Sequence, residues 1–253
     1  IGANMASSLT DQVGQTPRFA VLEVDAGSTK VNGSFPITGN SVTINNSLTI
    51  GAVTMSIGSL DPGAANTKTV GTKGYYFASV KASIGSAEDV TFDQVRFNQA
   101  GSAAGGDLKN VVVKTSDKEY ATTLSSDGKY YVAKFDGGLV IEKGKTLEFS
   151  VRGDLVDGSA RTVDMNVLRK TDIVVRGNTF KYAIVVGGGS SGAASAGGFS
   201  SNQEPFFNAY AATIDKGSIN ISSSNKLPSG NVAVDVADVT LGAFVLDVKG
   251  EPL

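Results

Sequence analysis

Val53-Thr54-Met55-Ser56-Ile57 places an apolar side chain at every second position and a polar one between. A strand turns successive side chains to opposite faces, so such a run offers one face to a core and one to water. The alternation recurs in Val42-Thr43-Ile44, Leu48-Thr49-Ile50, Leu147-Glu148-Phe149-Ser150-Val151, Ile219-Asn220-Ile221 and Val232-Ala233-Val234-Asp235-Val236. Turn signals separate the runs: Asn32-Gly33, Asp61-Pro62-Gly63, Asp127-Gly128, Asp136-Gly137-Gly138, Asp157-Gly158 and Arg176-Gly177-Asn178. Punctuation of this kind, every 8 to 12 residues or so, is what a β-sandwich needs. The expected fold is therefore all-β, in tandem immunoglobulin-like sandwich modules. Only residues 4–13, with Met5, Leu9, Gln12 and Val13 at helical spacing, read as a helix of two or three turns.

The opening run has a second copy. Val53-Thr54-Met55-Ser56, followed by Pro62, aligns without a gap on Ile219-Asn220-Ile221-Ser222, followed by Pro228. After a two-residue shift, Gly74-Tyr75-Tyr76-Phe77-Ala78-Ser79-Val80-Lys81 aligns on Gly242-Ala243-Phe244-Val245-Leu246-Asp247-Val248-Lys249. A fainter echo joins Val31-Asn32-Gly33-Ser34-Phe35 to Val175-Arg176-Gly177-Asn178-Thr179-Phe180. Beyond that echo the second copy is longer, and its surplus coincides with the Gly/Ser/Ala-rich stretch 187–207. Three parts result: 1–46, the end of a unit or an assembly arm; 47–214, a complete unit; and 215–253, the start of a third. Within them 47–186 is the sandwich module proper and 187–207 a Gly/Ser-rich loop or linker. The chain from 208 to 253 then begins a second module. The competing interpretation is two unrelated hairpins that share a Pro-turn.

Three further runs carry a resemblance. The first is Val70-Gly71-Thr72-Lys73-Gly74-Tyr75-Tyr76-Phe77-Ala78-Ser79-Val80-Lys81-Ala82-Ser83 with Glu88-Asp89-Val90-Thr91-Phe92-Asp93-Gln94-Val95-Arg96-Phe97. The second is Asp107-Leu108-Lys109-Asn110-Val111-Val112-Val113-Lys114. The third is Ile141-Glu142-Lys143-Gly144-Lys145-Thr146-Leu147-Glu148-Phe149-Ser150-Val151-Arg152-Gly153-Asp154-Leu155. Their order resembles the repeated β-sandwich modules of bacterial surface-layer-like proteins, of the candidate-phyla type, over roughly residues 47–160 and again at 215–253. The resemblance implies an exported structural protein that forms a lattice or fibre and has no catalytic residues. The Gly-rich insertion and the lack of a recognisable wall-anchoring segment depart from it.

Composition narrows the chemistry. The 253 residues include no Cys, His or Trp, 31 Gly, and 18% charged residues at a net charge of −2. There is no thiolate, no imidazole base and no Cys- or His-ligated metal. A near-neutral chain also lacks the basic face that nucleic acid requires. No run approaches the 18 or so apolar residues of a membrane span. The chain opens on Ile1 without a basic, apolar leader, which reads as a processed or partial chain, and the composition fits an extracellular one. Asn32-Gly33-Ser34, Asn45-Asn46-Ser47 and Asn220-Ile221-Ser222 are glycosylation sequons.

Gly187-Gly188-Gly189-Ser190-Ser191-Gly192 satisfies G-x-G-x-x-G after a strand. The helix that a dinucleotide site needs does not follow, so it reads as a loop. Calcium needs only oxygen ligands, and Asp154, Asp157, Glu88 and Asp89 are its candidates if their two loops converge. Carboxylate-pair hydrolysis would need a sugar-stacking cleft, for which only Tyr75-Tyr76 and Tyr130-Tyr131 are available. The expectation is that the protein is not an enzyme.

The C-terminal segment points furthest toward function. Val232, Val234 and Val236, then Leu241, Phe244, Leu246 and Val248, read as strands with an apolar face. They pack on the complete unit, belong to a longer chain, or insert into another subunit as donor strands. The expected function is a secreted structural protein assembling with copies of itself into a filament or surface layer. The alternative is a cell- or virus-surface adhesin that binds glycans through 187–207 or the tyrosine doublets.

Overall fold

The computed structural model describes residues 5–6, 8–225 and 230–249. The chain divides into two compact units, 1–49 and 50–253. The first carries strands β1 (Ala20–Val21) and β2 (Ile37–Thr38). The second begins with β3 (Val53–Ile57), β4 (Asn66–Thr69), β5 (Tyr75–Ile84) and β6 (Val90–Gln99). It continues with β7 (Leu108–Lys114), β8 (Glu119–Leu124), β9 (Tyr130–Ile141) and β10 (Thr146–Leu155). Short strands follow: β11 (Thr162–Val163), β12 (Met165–Asn166), β13 (Ile173–Gly177), β14 (Gly198–Phe199), β15 (Phe207–Asn208) and β16 (Ala212–Asp215). The last two are β17 (Ser218–Ser223) and β18 (Phe244–Lys249). The protein is all-β. Of the helix expected over 4–13, the described residues show one 3-10 turn, Thr10–Gln12, while Asn4 and Ser7 lie outside the described residues. Met5 and Val13 are exposed there, and a short helix is marginal in water without a packed face. No helix among the described residues is long and apolar enough to cross a membrane.

The body of the second unit is a curled antiparallel sheet, in the order β3-β5-β10-β7-β8-β9-β6, with β12 and β13 both on the far edge of β6. The alternating run 147–151 lies in β10, where Leu147, Phe149 and Val151 are buried. Phe149 meets Phe92 edge-on at 5.1 Å and stacks on Phe135 at 5.8 Å, which joins the two halves of the curl across the core. Segment 182–187 closes the gap between the sheet's edges. Ile184 N–H donates to Val175 on β13, while Gly187 exchanges both backbone hydrogen bonds with β3, at Val53 and Met55. A small second sheet, β11-β16-β4, has β16 antiparallel to β11 and parallel to β4.

Two expectations about glycines change. Asp136-Gly137-Gly138 is not a hairpin turn but a bulge inside the 12-residue β9. The strand pairs with β6 on both sides of it, Gln94 with Lys134 and then Phe92 with Leu139. The two positive-φ glycines absorb the extra residues. The stretch 187–207 is not a loose linker. Phe206, Phe207 and Ser200 are buried there, and a Cβ on Gly188 or Gly189 would run into the backbone of Met55 or Phe199. These glycines permit close backbone approach, so the segment packs as part of the body.

Among the described residues two buried side-chain oxygens, Tyr131 OH and Asp164 Oδ1, lack a hydrogen-bond partner. Asp164 Oδ1 is buried and accepts no hydrogen bond. Burial pushes its carboxyl up from the ordinary range, against a smaller opposing hydrogen bond from Asn166. A raised carboxyl is a cost at neutral pH, relieved as pH falls through the folded value. Asp164→Asn is therefore expected to stabilise the body by about 1 kcal/mol, a figure kept low because the residue is only half-buried. Thermal melts of both proteins at pH 7 and pH 4 check this: the gain should shrink at the lower pH.

Candidate assembly surfaces

The C-terminal strands form a two-stranded ribbon. Ile219 faces Val248, Ile221 faces Leu246 and Ser223 faces Phe244, with Asn220 opposite Asp247 and Ser222 opposite Val245. Cross-strand partners share a face, so Ile219, Ile221, Phe244, Leu246 and Val248 line one side of the ribbon. All five are exposed, from 38% at Val248 to 70% at Ile221. In the body, the aligned pair β3 and β5 turns Val53, Met55, Val80, Ala82 and Ile84 into the core, none more than 5% exposed. The two copies thus fold as the same antiparallel pair, one covered and one bare. The register differs: Ser56 faces Lys81, whereas its counterpart Ser222 faces Val245, four residues from the aligned Lys249. A four-residue slip is even, so the apolar face is preserved.

The strand expected over 232–236 is absent. Residues 230–243 carry no strand, and Val232, Val234, Val236 and Leu241 are exposed at 56, 92, 56 and 82%. Only Phe244, Leu246 and Val248 of the expected assembly residues lie on a strand. The body gives the reason. The place of 232–235 is taken there by β4, a short, half-exposed strand that pairs with β16, and the alternation Val-Ala-Val has no such neighbour to hold it extended. The counterpart of Pro62, Pro228, lies outside the described residues.

Unit 1–49, taken by itself, is also a bare ribbon. Its ladder runs beyond β1 and β2: Gly39 N–H donates to Phe19, Val42 to Pro17, and Ile44 to Gln15, while Gly14 donates back to Ile44. None of its described residues is buried, and Phe19, Leu22, Ile37 and Val42 are between 56 and 73% exposed. A two-stranded ribbon without a covered face is marginal in water.

This ribbon has the pattern of the body's own terminal strands. Opposite Ile44 lie Gly14 (φ +86°) and Gln15; opposite Ile214 lie Ala160 (φ +65°) and Arg161, joined by the same two hydrogen bonds. Val42 bonds to Pro17 as Ala212 pairs with Val163. Val21 pairs with Ile37 as Val167 pairs with Phe207. The bulge and the one-residue register change beyond it agree in both. Thr43-Ile44 against Thr213-Ile214 is the sequence signal that would have found the match. The fainter echo at 31–35 and 175–180 falls between the two strands in each copy.

The calcium candidates do not come together. Glu88 lies in the turn after β5, and Asp154 accepts from Gly74 N–H just before β5 begins. A ten-residue strand separates the two, roughly 30 Å. Glu88 is 3% exposed, and its carboxylate accepts the backbone N–H groups of Gly51, Thr179 and Phe180 at 2.8, 2.7 and 3.3 Å. Asp154 also accepts from Asn110, Asp89 from Lys143 N–H, and Asp157 from Gly158 N–H. Each carboxylate clips a loop. Among the described residues no group of three or more acidic side chains is placed to hold a metal ion. Of the tyrosine doublets, Tyr131 is buried, while Tyr75, Tyr76 and Tyr130 lie under Lys68, Arg152 and Arg96.

No family model matches the chain, and no curated protein matches it. Among solved structures the chain is similar to AvmM, described as catalysing macrocyclization in alchivemycin A biosynthesis. The likeness amounts to 11% identity over 63% of this chain and 88% of that one, at a TM-score of 0.26, and so carries nothing over to this protein.

Proposed function

We propose that this chain is a secreted, non-enzymatic structural protein of tandem immunoglobulin-like modules. It assembles with copies of itself, by strand exchange or edge pairing, into an extracellular filament or surface layer. One observation carries the reading: the strand pair that the body covers as β3 and β5 recurs as β17 and β18 with its apolar face bare. An exposed amphipathic ribbon is a docking or aggregation surface. Its counterpart within the same chain is covered by further strands of the same design, so another copy is the partner of matching chemistry. A Cys-free, lightly charged surface is consistent with life outside the cell.

Negative-stain microscopy of the purified full chain tests this, beside a variant lacking 217–253. The full chain should form fibres or sheets. The shortened one should stay dispersed with the melting temperature of the body unchanged. A full chain that remains monomeric from dilute to concentrated solution, or polymers that survive the deletion, would sink the proposal.

A further inference from the structure

We propose that two copies of the chain join head to tail through a three-stranded sheet, in which residues 232–235 of one copy lie parallel beside residues 42–45 of the next. The inference rests on the self-assembling reading above and names its joint. Within the body, β4 runs parallel beside β16, pairing Asn66 with Ala212 through to Thr69 with Asp215. Asn66 N–H donates to Ala211 and Val70 N–H to Asp215, while the other edge of β16 is held by β11. Each member of this sheet has a counterpart elsewhere. The match of Val53 with Ile219 carries β4 onto 232–235. The ribbon register carries β16 onto 42–45, and β11 onto Thr16-Pro17 that flanks it.

Both counterparts have open edges. Among the described residues no backbone hydrogen bond from another segment holds 230–242, where Val234 and Asp235 (φ +61°) form a local turn that must open on joining, and the carbonyls of Ser41 and Asn45, which match the acceptors Ala211 and Asp215, accept none. The side chains agree as well. The body's register, carried over, pairs Val42 with Val232, Thr43 with Ala233, Ile44 with Val234 and Asn45 with Asp235. Val42, Ile44, Val232 and Val234 then fall on one face, where the body buries Ala212 and Ile214. Val234, at 92% exposure, has the most to gain.

Every copy carries one of each partner strand, so the contact is heterologous and propagates as an open fibre unless its rotation closes a ring. The joint buries little apolar surface by itself, and polymer length should rise with concentration.

The chain has no cysteine, which makes cross-linking clean. Full-length Thr43→Cys and Ala233→Cys are mixed in equal amounts under mild oxidation, beside a mixture of Thr43→Cys and Gly242→Cys. The expected result is a dominant mixed dimer in the first mixture only, shifted from 25.9 kDa to twice that mass, with residues 43 and 233 in one disulfide-linked peptide. If the first mixture cross-links no more than the second while the unmodified chain still polymerises, this joint is wrong and the self-assembling reading stands. If the unmodified chain does not polymerise either, both fall together.

Discussion

Replacing Glu88, a buried carboxylate in a turn, by alanine is expected to destabilise the body strongly. The side chain sits in the turn between β5 and β6, yet its oxygens reach Gly51, ahead of β3, and Thr179 and Phe180, after β13. Those are the two edges of the curled sheet, so one carboxylate ties the curl shut. Truncation leaves three backbone donors without an acceptor, at about 1–3 kcal/mol for each that remains buried. The loss should total roughly 3–5 kcal/mol, a fall in melting temperature on the order of 10 °C for a domain of this size. Burial by itself pushes the Glu88 carboxyl up, but the three amides and the Thr179 hydroxyl outweigh it and hold the group below its ordinary range. With the folded value depressed, its contribution is complete above the unfolded value near 4.3 and is lost as pH falls through the folded one. The native protein should therefore weaken in acid below about pH 4, and Glu88→Ala should show a flatter profile there. Denaturant melts from pH 7 to pH 2.5 decide the matter. A Glu88→Ala protein as stable as the native one, with the same acid slope, would show that the clip is incidental.

The calcium expectation and this clip concern the same residue, and the difference between them is instructive. Glu88-Asp89 in a turn reads in the sequence as ligand chemistry, because a sequence shows a carboxylate but not its donors. Which amides approach depends on Gly51 and Gly177, and a Cβ on Gly177 would strike the Glu88 carboxylate. That closeness joins residues some 90 positions apart and has no local signature. Local alternation was far more legible. The runs 53–57 and 147–151 form strands whose apolar side is buried except at Ile57, since period two and burial are read from neighbouring residues alone. The alternation at 232–236 failed as a strand for the converse reason. A pattern states which face wants cover, while a ladder requires a neighbour. The Gly-rich stretch failed in the other direction: composition suggests slack, but glycine also lets a backbone lie against another, as at Gly188 and Gly189.

The likeness between segments is legible where side chains carry it and hidden where the backbone does. Ile219-Asn220-Ile221-Ser222 matches Val53-Thr54-Met55-Ser56 in its alternation and final serine. Gln15 and Pro17 share little with Arg161 and Val163 except register and the positive φ that precedes Gln15 and Arg161. Bulge and register are conformational, so they persist through substitutions that erase sequence likeness.

If the bare face of β17 and β18 is where copies meet, a single charge on it should stop assembly. Leu246 lies at the centre, opposite Ile221 and flanked by Phe244 and Val248 on the same face. Leu246→Glu would force a carboxylate into the apolar contact, where it must be desolvated without a partner. A penalty of about 3 kcal/mol is modest for the centre of an interface and corresponds to a rise of roughly a hundredfold in the concentration needed for polymers. Ser222→Glu adds the same charge to the opposite face and should leave that concentration within a few-fold of the native value. Both substitutions fall on exposed positions outside the body's core, so neither should move its melting temperature. Light scattering across a concentration series, with melts on the same samples, separates the cases. Equal effects from Leu246→Glu and Ser222→Glu would mean that added charge, not the apolar face, governs association. A dependence on Leu246 alone would place the contact on the face that β3 and β5 keep buried in the body.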